Sequence, residues 1–223
     1  QAVSLRPNLY IEKVKVMGYI LQVMPESPQP HRIEQAAKLL TKGQVAAVST
    51  DTGFSLVCRL DDKEALDKIR LIRQLSEKKH FTLFCDSLSQ MSKLARVNNT
   101  GYRMAKSVTP GPYTFILEAT KEVPRRLSHP SKKTIGLRVP SNKALHALLE
   151  KIGEPLVGTT VIMPGEEEPL SSAWEIQDRI GDQLAFILDD GTSVIGDTTV
   201  VDLSGDEPEV IREGLGSVSA LGL

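Results

Sequence analysis

Apolar positions recur at two periods along this chain, and the switches between them set the expected elements. Ile33, Ala36, Ala37 and Leu40 fall at helical spacing, with Gly43 as a stop. Gln44 to Val48 and Phe54 to Cys58 then read as short strands on either side of a polar turn. Asp61 or Asp62 can cap a helix carrying Leu66, Ile69 and Ile72 on one face. Thr82 to Cys85 reads as a strand, and Ser87 caps a helix containing Met91, Leu94 and Ala95. A further helix is expected over Thr100 to Ser107, followed by strands at Tyr113 to Ala119 and Ile135 to Val139. Pro140 and Ser141 open a helix that turns Leu145, Leu148 and Leu149 inward. Leu156 to Thr160, Leu184 to Leu188 and Thr199 to Leu203 complete the strands, with a helix around Trp174 to Ile180. Strands alternating with helices predict an α/β fold in which helices cover a sheet. Before Ile33 the pattern fails: Tyr10 to Val23 alternates irregularly, and Pro25, Pro28 and Pro30 interrupt it. Residues 1–30 therefore read as an N-terminal extension.

Composition narrows this picture without redirecting it. The 223 residues suit one large domain, and aromatics at 4% leave the core to Leu, Val, Ile and Ala. A net charge of -1 supplies no global field for nucleic acid, so RNA binding would need a local patch. Cys58 and Cys85 sit in apolar strands and read as reduced, buried thiols. No apolar run reaches spanning length, and no secretory pattern opens the chain, so a cytoplasmic protein without membrane contact is expected. His31, His80, His129 and His146 lack metal-ligand spacing, and no metal site is expected of the protein's own side chains. A P-loop and a nucleophile elbow are both missing.

Ligands in open α/β sheets bind beside strand ends, and polar residues interrupt strand ends at four places. Ser49-Thr50-Asp51-Thr52-Gly53 gathers three hydroxyls and a carboxylate; its plain reading is a turn satisfying its own backbone. Thr109-Pro110-Gly111-Pro112-Tyr113-Thr114 forms a rigid turn that holds Thr114 as the next strand begins. Gly136-Leu137-Arg138-Val139-Pro140-Ser141 places an arginine inside an apolar strand, where an unpaired charge is costly. Its partner is either a carboxylate or a phosphate, since the guanidinium fork fits both. Ser141, at an expected helix start, adds donors suited to an anion. Val210-Ile211-Arg212-Glu213-Gly214 repeats the theme and is preceded by Thr198-Thr199-Val200-Val201-Asp202. The basic pairs Lys78-Lys79, Arg125-Arg126 and Lys132-Lys133 would make an RNA footprint only if gathered on one face.

In order and spacing these segments resemble the YrdC-like, threonylcarbamoyl-adenylate synthase family. Ser49 to Leu56 resembles its Pro-Thr-Asp-Thr-x-Tyr-Gly-Leu run, Pro110 to Thr114 its Pro-Gly-Pro-x-Thr turn, and Arg138-Val139-Pro140 its Arg-x-Pro strand end. Thr198 to Asp202 and Arg212-Glu213-Gly214 resemble its two C-terminal motifs. The likeness spans residues 31–217 and leaves 218–223 as a tail. It implies a single-domain, open, twisted mixed sheet with flanking helices. It also implies formation of threonylcarbamoyl-adenylate from threonine, bicarbonate and ATP for tRNA modification, with Mg2+ held mainly through phosphates. By the same resemblance Arg73, Thr160 and Arg138 would be catalytic. Thr114, Arg138, Ser141, Thr199 and Arg212 would bind the nucleotide, and Thr50, Thr52 and Cys85 the substrate.

Two departures qualify that transfer. The family's Lys-x-Arg pair falls on Arg73-Gln74-Leu75, and its Ser-x-Asn pair on Thr160-Val161-Ile162. An arginine's charge becomes Leu75 and an amide becomes Ile162. Such changes are typical of the YciO-like branch, whose Arg-Gln-Leu and Thr-Pro-Gly-x-Tyr-Thr-Phe-Ile-Leu stretches this chain matches. The alternative expectation is therefore a divergent paralogue that binds double-stranded RNA or tRNA. The oligomeric state is not set by the sequence.

Overall fold

A computed structural model describes residues 19–223 apart from 77, 78 and 80. Its first strand, β1 (Tyr19–Gln22), precedes helix α1 (Pro30–Leu39), which begins with proline at a position where its missing N–H costs nothing. The antiparallel pair β2 (Ala46–Thr50) and β3 (Gly53–Arg59) follows, turning at Gly53 with φ of 116°. Helix α2 (Lys63–Arg73) is capped by Asp62, whose carboxylate accepts from the Ala65 N–H. Then come β4 (Thr82–Phe84), α3 (Leu88–Leu94) capped by Ser87, the two-residue β5 (Ala95–Arg96), α4 (Asn99–Val108) and β6 (Tyr113–Ala119). The chain continues through β7 (Thr134–Arg138), α5 (Lys143–Ile152), β8 (Leu156–Thr160) and α6 (Ala173–Ile180). It ends with β9 (Phe186–Asp189), β10 (Thr199–Asp202) and β11 (Glu209–Arg212).

The strands form one mixed sheet in the order β1-β9-β2-β3-β8-β4-β7-β6-β10-β11, with β5 paired to β6. Tyr19–Gln22, inside the segment expected as an extension, pairs in parallel with β9 and belongs to the sheet. In the C-terminal tail, Leu221 is buried in the core. Residues 1–18 lie outside the described ones.

Strand alternation sends side chains to two faces, and each face meets its own helices. On one, Leu56, Leu83, Phe115, Leu137 and Val157 pack with α2, α3, α4 and α6. On the other, Val48, Val57, Phe84, Leu156 and Leu188 pack beneath α1 and α5. That second layer covers only part of its face, and the candidate site occupies the rest.

Candidate functional site

Where α1 and α5 end, the same strand positions turn small or hydroxylic. On β3, Val57 beneath the helices gives way to Ser55; on β4, Phe84 gives way to Thr82. On β8, Leu156 is followed at two-residue steps by Gly158 and Thr160. The register aligns Gly158 with Thr82 and Thr82 with Gly136 across three strands, so the floor carries almost no bulk. A Cβ on Gly158 would lie 2.2 Å from the Phe84 ring, and one on Gly136 would lie 3.1 Å from Thr114. The resulting open cavity holds about 240 Å³ and is lined by Thr52, Ser55, Thr114, Thr159, Thr160 and Thr198 among the hydroxyls.

Four cations face this space: Arg73, Lys79, Arg138 and Arg212. Arg138, at the end of β7, is 4% exposed. Its Nη1 donates to Thr52 Oγ1 at 3.0 Å, and its Nη2 forms a short ion pair with Asp51. The guanidinium also lies over the Phe84 ring at 5.3 Å. Burial pulls Arg138 below the ordinary arginine range, to about 9, and the Asp51 carboxylate is its counter-charge. Asp51 spends its second oxygen on the Ser141 N–H and Oγ, at 3.0 and 3.1 Å. Of the fork, only the buried Nε lacks a partner.

The other cations stand at the margins. Arg73, in the last turn of α2, donates from Nη1 to Thr159 Oγ1 at 2.8 Å and to the Thr160 carbonyl at 2.6 Å. Burial lowers its pKa as well, and its Nε is also unpartnered. Arg212 reaches back to Thr198, donating from Nε to the carbonyl at 3.0 Å and from Nη2 to Oγ1 at 3.1 Å. Thr198 Oγ1 shares a 2.8 Å hydrogen bond with Thr114 Oγ1, tying β10 to β6. Among the described residues, Asp197 is the one acidic residue lining the cavity.

Of the residues expected at a site, Arg73, Thr160, Arg138, Thr114, Arg212 and Thr52 line this one cavity. Four others stand elsewhere. Thr50 is buried and locks the β2–β3 turn, donating to the Gly53 carbonyl at 2.6 Å. Ser141 precedes the helix instead of capping it, since α5 begins at Lys143 under an Asn142 cap; its bonds go to Asp51. Thr199 is fully buried, and its Oγ1 donates to the Gly216 carbonyl and accepts from the Gly214 N–H. Cys85 points away from the cavity into the helix-covered core, because alternation puts it opposite Phe84; burial pushes its thiol up. Burial likewise pushes the Cys58 thiol up to about 12.

The basic pairs separate. Arg126 is held by Asp61, just before α2, while the Lys79 carbonyl is bound by Arg70 seven residues after the first residue of that helix, roughly 10 Å along the axis by helix rise. Arg125 is exposed beside Arg126, Lys132 and Lys133 lie exposed before β7, and Lys79 alone of the described doublet residues faces the cavity. Lys78 and His80 fall outside the described residues. Thr82, Ser55, Thr159 and Asp197 were not singled out as ligand residues from the sequence, and Lys79 only as part of a basic pair for RNA.

A model of the Sua5, YciO and YrdC family, described as telomere recombination, matches residues 38–214. The chain belongs to this family. It is 45% identical over 202 residues to the uncharacterized protein YciO of Escherichia coli K12, covering 91% of this chain and 98% of that one. The crystal structure of that YciO superposes with a TM-score of 0.85 at 44% identity, over 92% of this chain and all of the other. The threonylcarbamoyl-AMP synthase of Vibrio vulnificus is a more distant member, 26% identical over 159 residues, covering 70% of this chain and 84% of that protein. The structure of Pyrococcus abyssi Sua5 in complex with L-threonine shares the fold, with a TM-score of 0.79 at 24% identity, over 87% of this chain and 57% of Sua5. Family membership and these matches accord with the single-domain, open mixed sheet. Among the described residues no helix is long and apolar enough to cross a membrane.

The family's two departures at this site are physically different. Ile162 lines the cavity and puts an aliphatic side chain in its wall. Leu75 instead packs against the helix-covered core and does not line the cavity.

Proposed function

We propose that the cleft binds ATP and forms threonylcarbamoyl-adenylate from threonine, bicarbonate and ATP. The amine captures bicarbonate as a carbamate with loss of water; a carbamate oxygen then attacks the α-phosphorus, and pyrophosphate leaves. This chemistry needs positioned charge and no protein nucleophile. The observation that carries the reading is the convergence of Arg73, Lys79, Arg138 and Arg212 on one hydroxyl-lined cavity. Arg138 is already neutralised by Asp51, which leaves the other three to face phosphate and carboxylate charge. A cavity of about 240 Å³ is smaller than pockets that engulf a drug-sized ligand, so it suits the charged part of a nucleotide with the base toward the open side.

The test is pyrophosphate release from Mg-ATP with and without threonine and bicarbonate, with the adenylate followed by mass spectrometry. Product that requires both co-substrates is expected. ATP binding without turnover would defeat the synthase reading. It would favour the second one, a double-stranded RNA- or tRNA-binding paralogue, which rests on the apolar Ile162 in the wall. An RNA complex should weaken steeply with salt.

A further inference from the structure

Building on the nucleotide reading, we propose that Asp197 is the protein's own ligand to the divalent cation of a metal–triphosphate. Asp197 is the one carboxylate among the cavity-lining residues, and it immediately precedes Thr198, whose carbonyl and hydroxyl are both held by Arg212. Carboxylate and guanidinium thus flank a single residue. The Asp197 carbonyl accepts from the Leu215 N–H at 2.8 Å, and the Gly196 N–H donates to the Thr52 carbonyl at 3.2 Å, which fixes the backbone on both sides. Among the described residues no ion pair or hydrogen bond engages the carboxylate of Asp197, an exposed residue, although Arg212 binds the adjoining Thr198.

A free carboxylate beside an anion-binding guanidinium would repel a bare triphosphate. A divalent cation between them reverses the sign, and Mg2+ is commonly held by one or two carboxylates together with substrate phosphates. The donor set fits that mode. Among the described residues no three His, Cys, Asp or Glu side chains gather, so an all-protein cage is not built here. Asp51, the other carboxylate nearby, has both oxygens committed to Arg138 and Ser141. Asp197 remains as the donor that could share a cation with phosphate.

ATP affinity of the full chain and of Asp197→Asn, measured calorimetrically with Mg2+ and with EDTA, tests this. Wild type should bind Mg-ATP about ten-fold or more tightly than free ATP, and Asp197→Asn should lose that advantage while Asp197→Glu retains part of it. Because coupling is reciprocal, ATP should also tighten Mn2+ binding, read by electron paramagnetic resonance, in wild type and not in Asp197→Asn. An undiminished Mg2+ advantage in Asp197→Asn overturns the proposal. So does a variant that merely binds free ATP more tightly with Mn2+ coupling intact, which would make Asp197 a repelling charge. Wild type that binds neither form of ATP would instead remove the nucleotide reading itself.

Discussion

One face of the sheet is two different materials. Beneath α1 and α5 its positions are Val48, Val57, Phe84, Leu156 and Leu188; a strand step away they are Ser55, Thr82, Gly136, Gly158 and Thr160. The change happens within single strands, so the backbone that builds the core also builds the cleft. Bulk fills the space where a helix sits, and small or hydroxylated residues leave it open where none does. The covered half depends on packing. The open half depends on charge, and its most buried charge, Arg138, is balanced by a carboxylate 87 residues earlier in the chain.

That contrast breaks most sharply at Asp51. Asp51→Asn leaves the Arg138 guanidinium buried without a counter-charge, a change that costs about 3–5 kcal/mol in comparable buried pairs. For a chain of this size that corresponds to a fall in Tm of roughly 10 °C. Adding Arg138→Met, which removes the unpaired buried charge, should recover most of the stability. If calorimetry finds the single variant as stable as wild type, the pair is not what holds this half together.

Gly158→Ala probes the boundary itself. Its Cβ would sit 2.2 Å from the Phe84 ring, which belongs to the covered core yet supports Arg138 from below. Overpacking of this kind costs about 1–3 kcal/mol, and here it should also weaken ATP binding by moving the ring. Leu156→Ala, one strand step into the covered half, should cost at least as much stability, about 2–5 kcal/mol, and leave ATP affinity unchanged. Equal effects of the two variants on affinity would erase the distinction between the halves.

The strands in the middle of the sheet were more legible than those at its edges. Tyr113–Ala119 and Leu156–Thr160 fall within the bounds their alternation implies, since both strands have neighbours on each side. Tyr19–Gln22 and Glu209–Arg212 gave little signal because each is a four-residue edge strand with one neighbour. At the cleft, the apolar setting of Arg138 demanded a partner, but the choice between phosphate and Asp51 depends on how β2 and β7 are brought together, which no local pattern encodes. Cys85 and Thr199 stand outside the cavity for a related reason. Motif membership marks them, whereas alternation turns each to the face opposite the ligand space.

A smaller effect sharpens the contrast within the cavity wall. Ile162→Asn replaces an aliphatic side chain lining the cleft with a hydrogen-bonding amide. If the cleft is a synthase site, turnover measured by pyrophosphate release should rise about ten-fold, at the low end of what a positioned donor contributes. Leu75→Arg should bring no such gain, because Leu75 packs on the core and its loss costs stability instead. A gain at Leu75 without one at Ile162 would show that the wall has been read on the wrong side.

The smallest effect is expected at Lys132 and Lys133, which lie exposed ahead of β7 and outside the cavity. Replacing both with alanine should shift stability by no more than about 0.5 kcal/mol and leave ATP affinity unchanged. The same variant carries the opposite expectation if RNA is the ligand. Each lysine that contacts a phosphate should then lower the salt slope of double-stranded RNA binding by about one. Filter binding across a salt series separates the two cases: an unchanged slope confines ligand binding to the Arg73, Lys79 and Arg212 cleft. A slope lower by about two extends the interface along the sheet to a surface that the cavity alone does not mark.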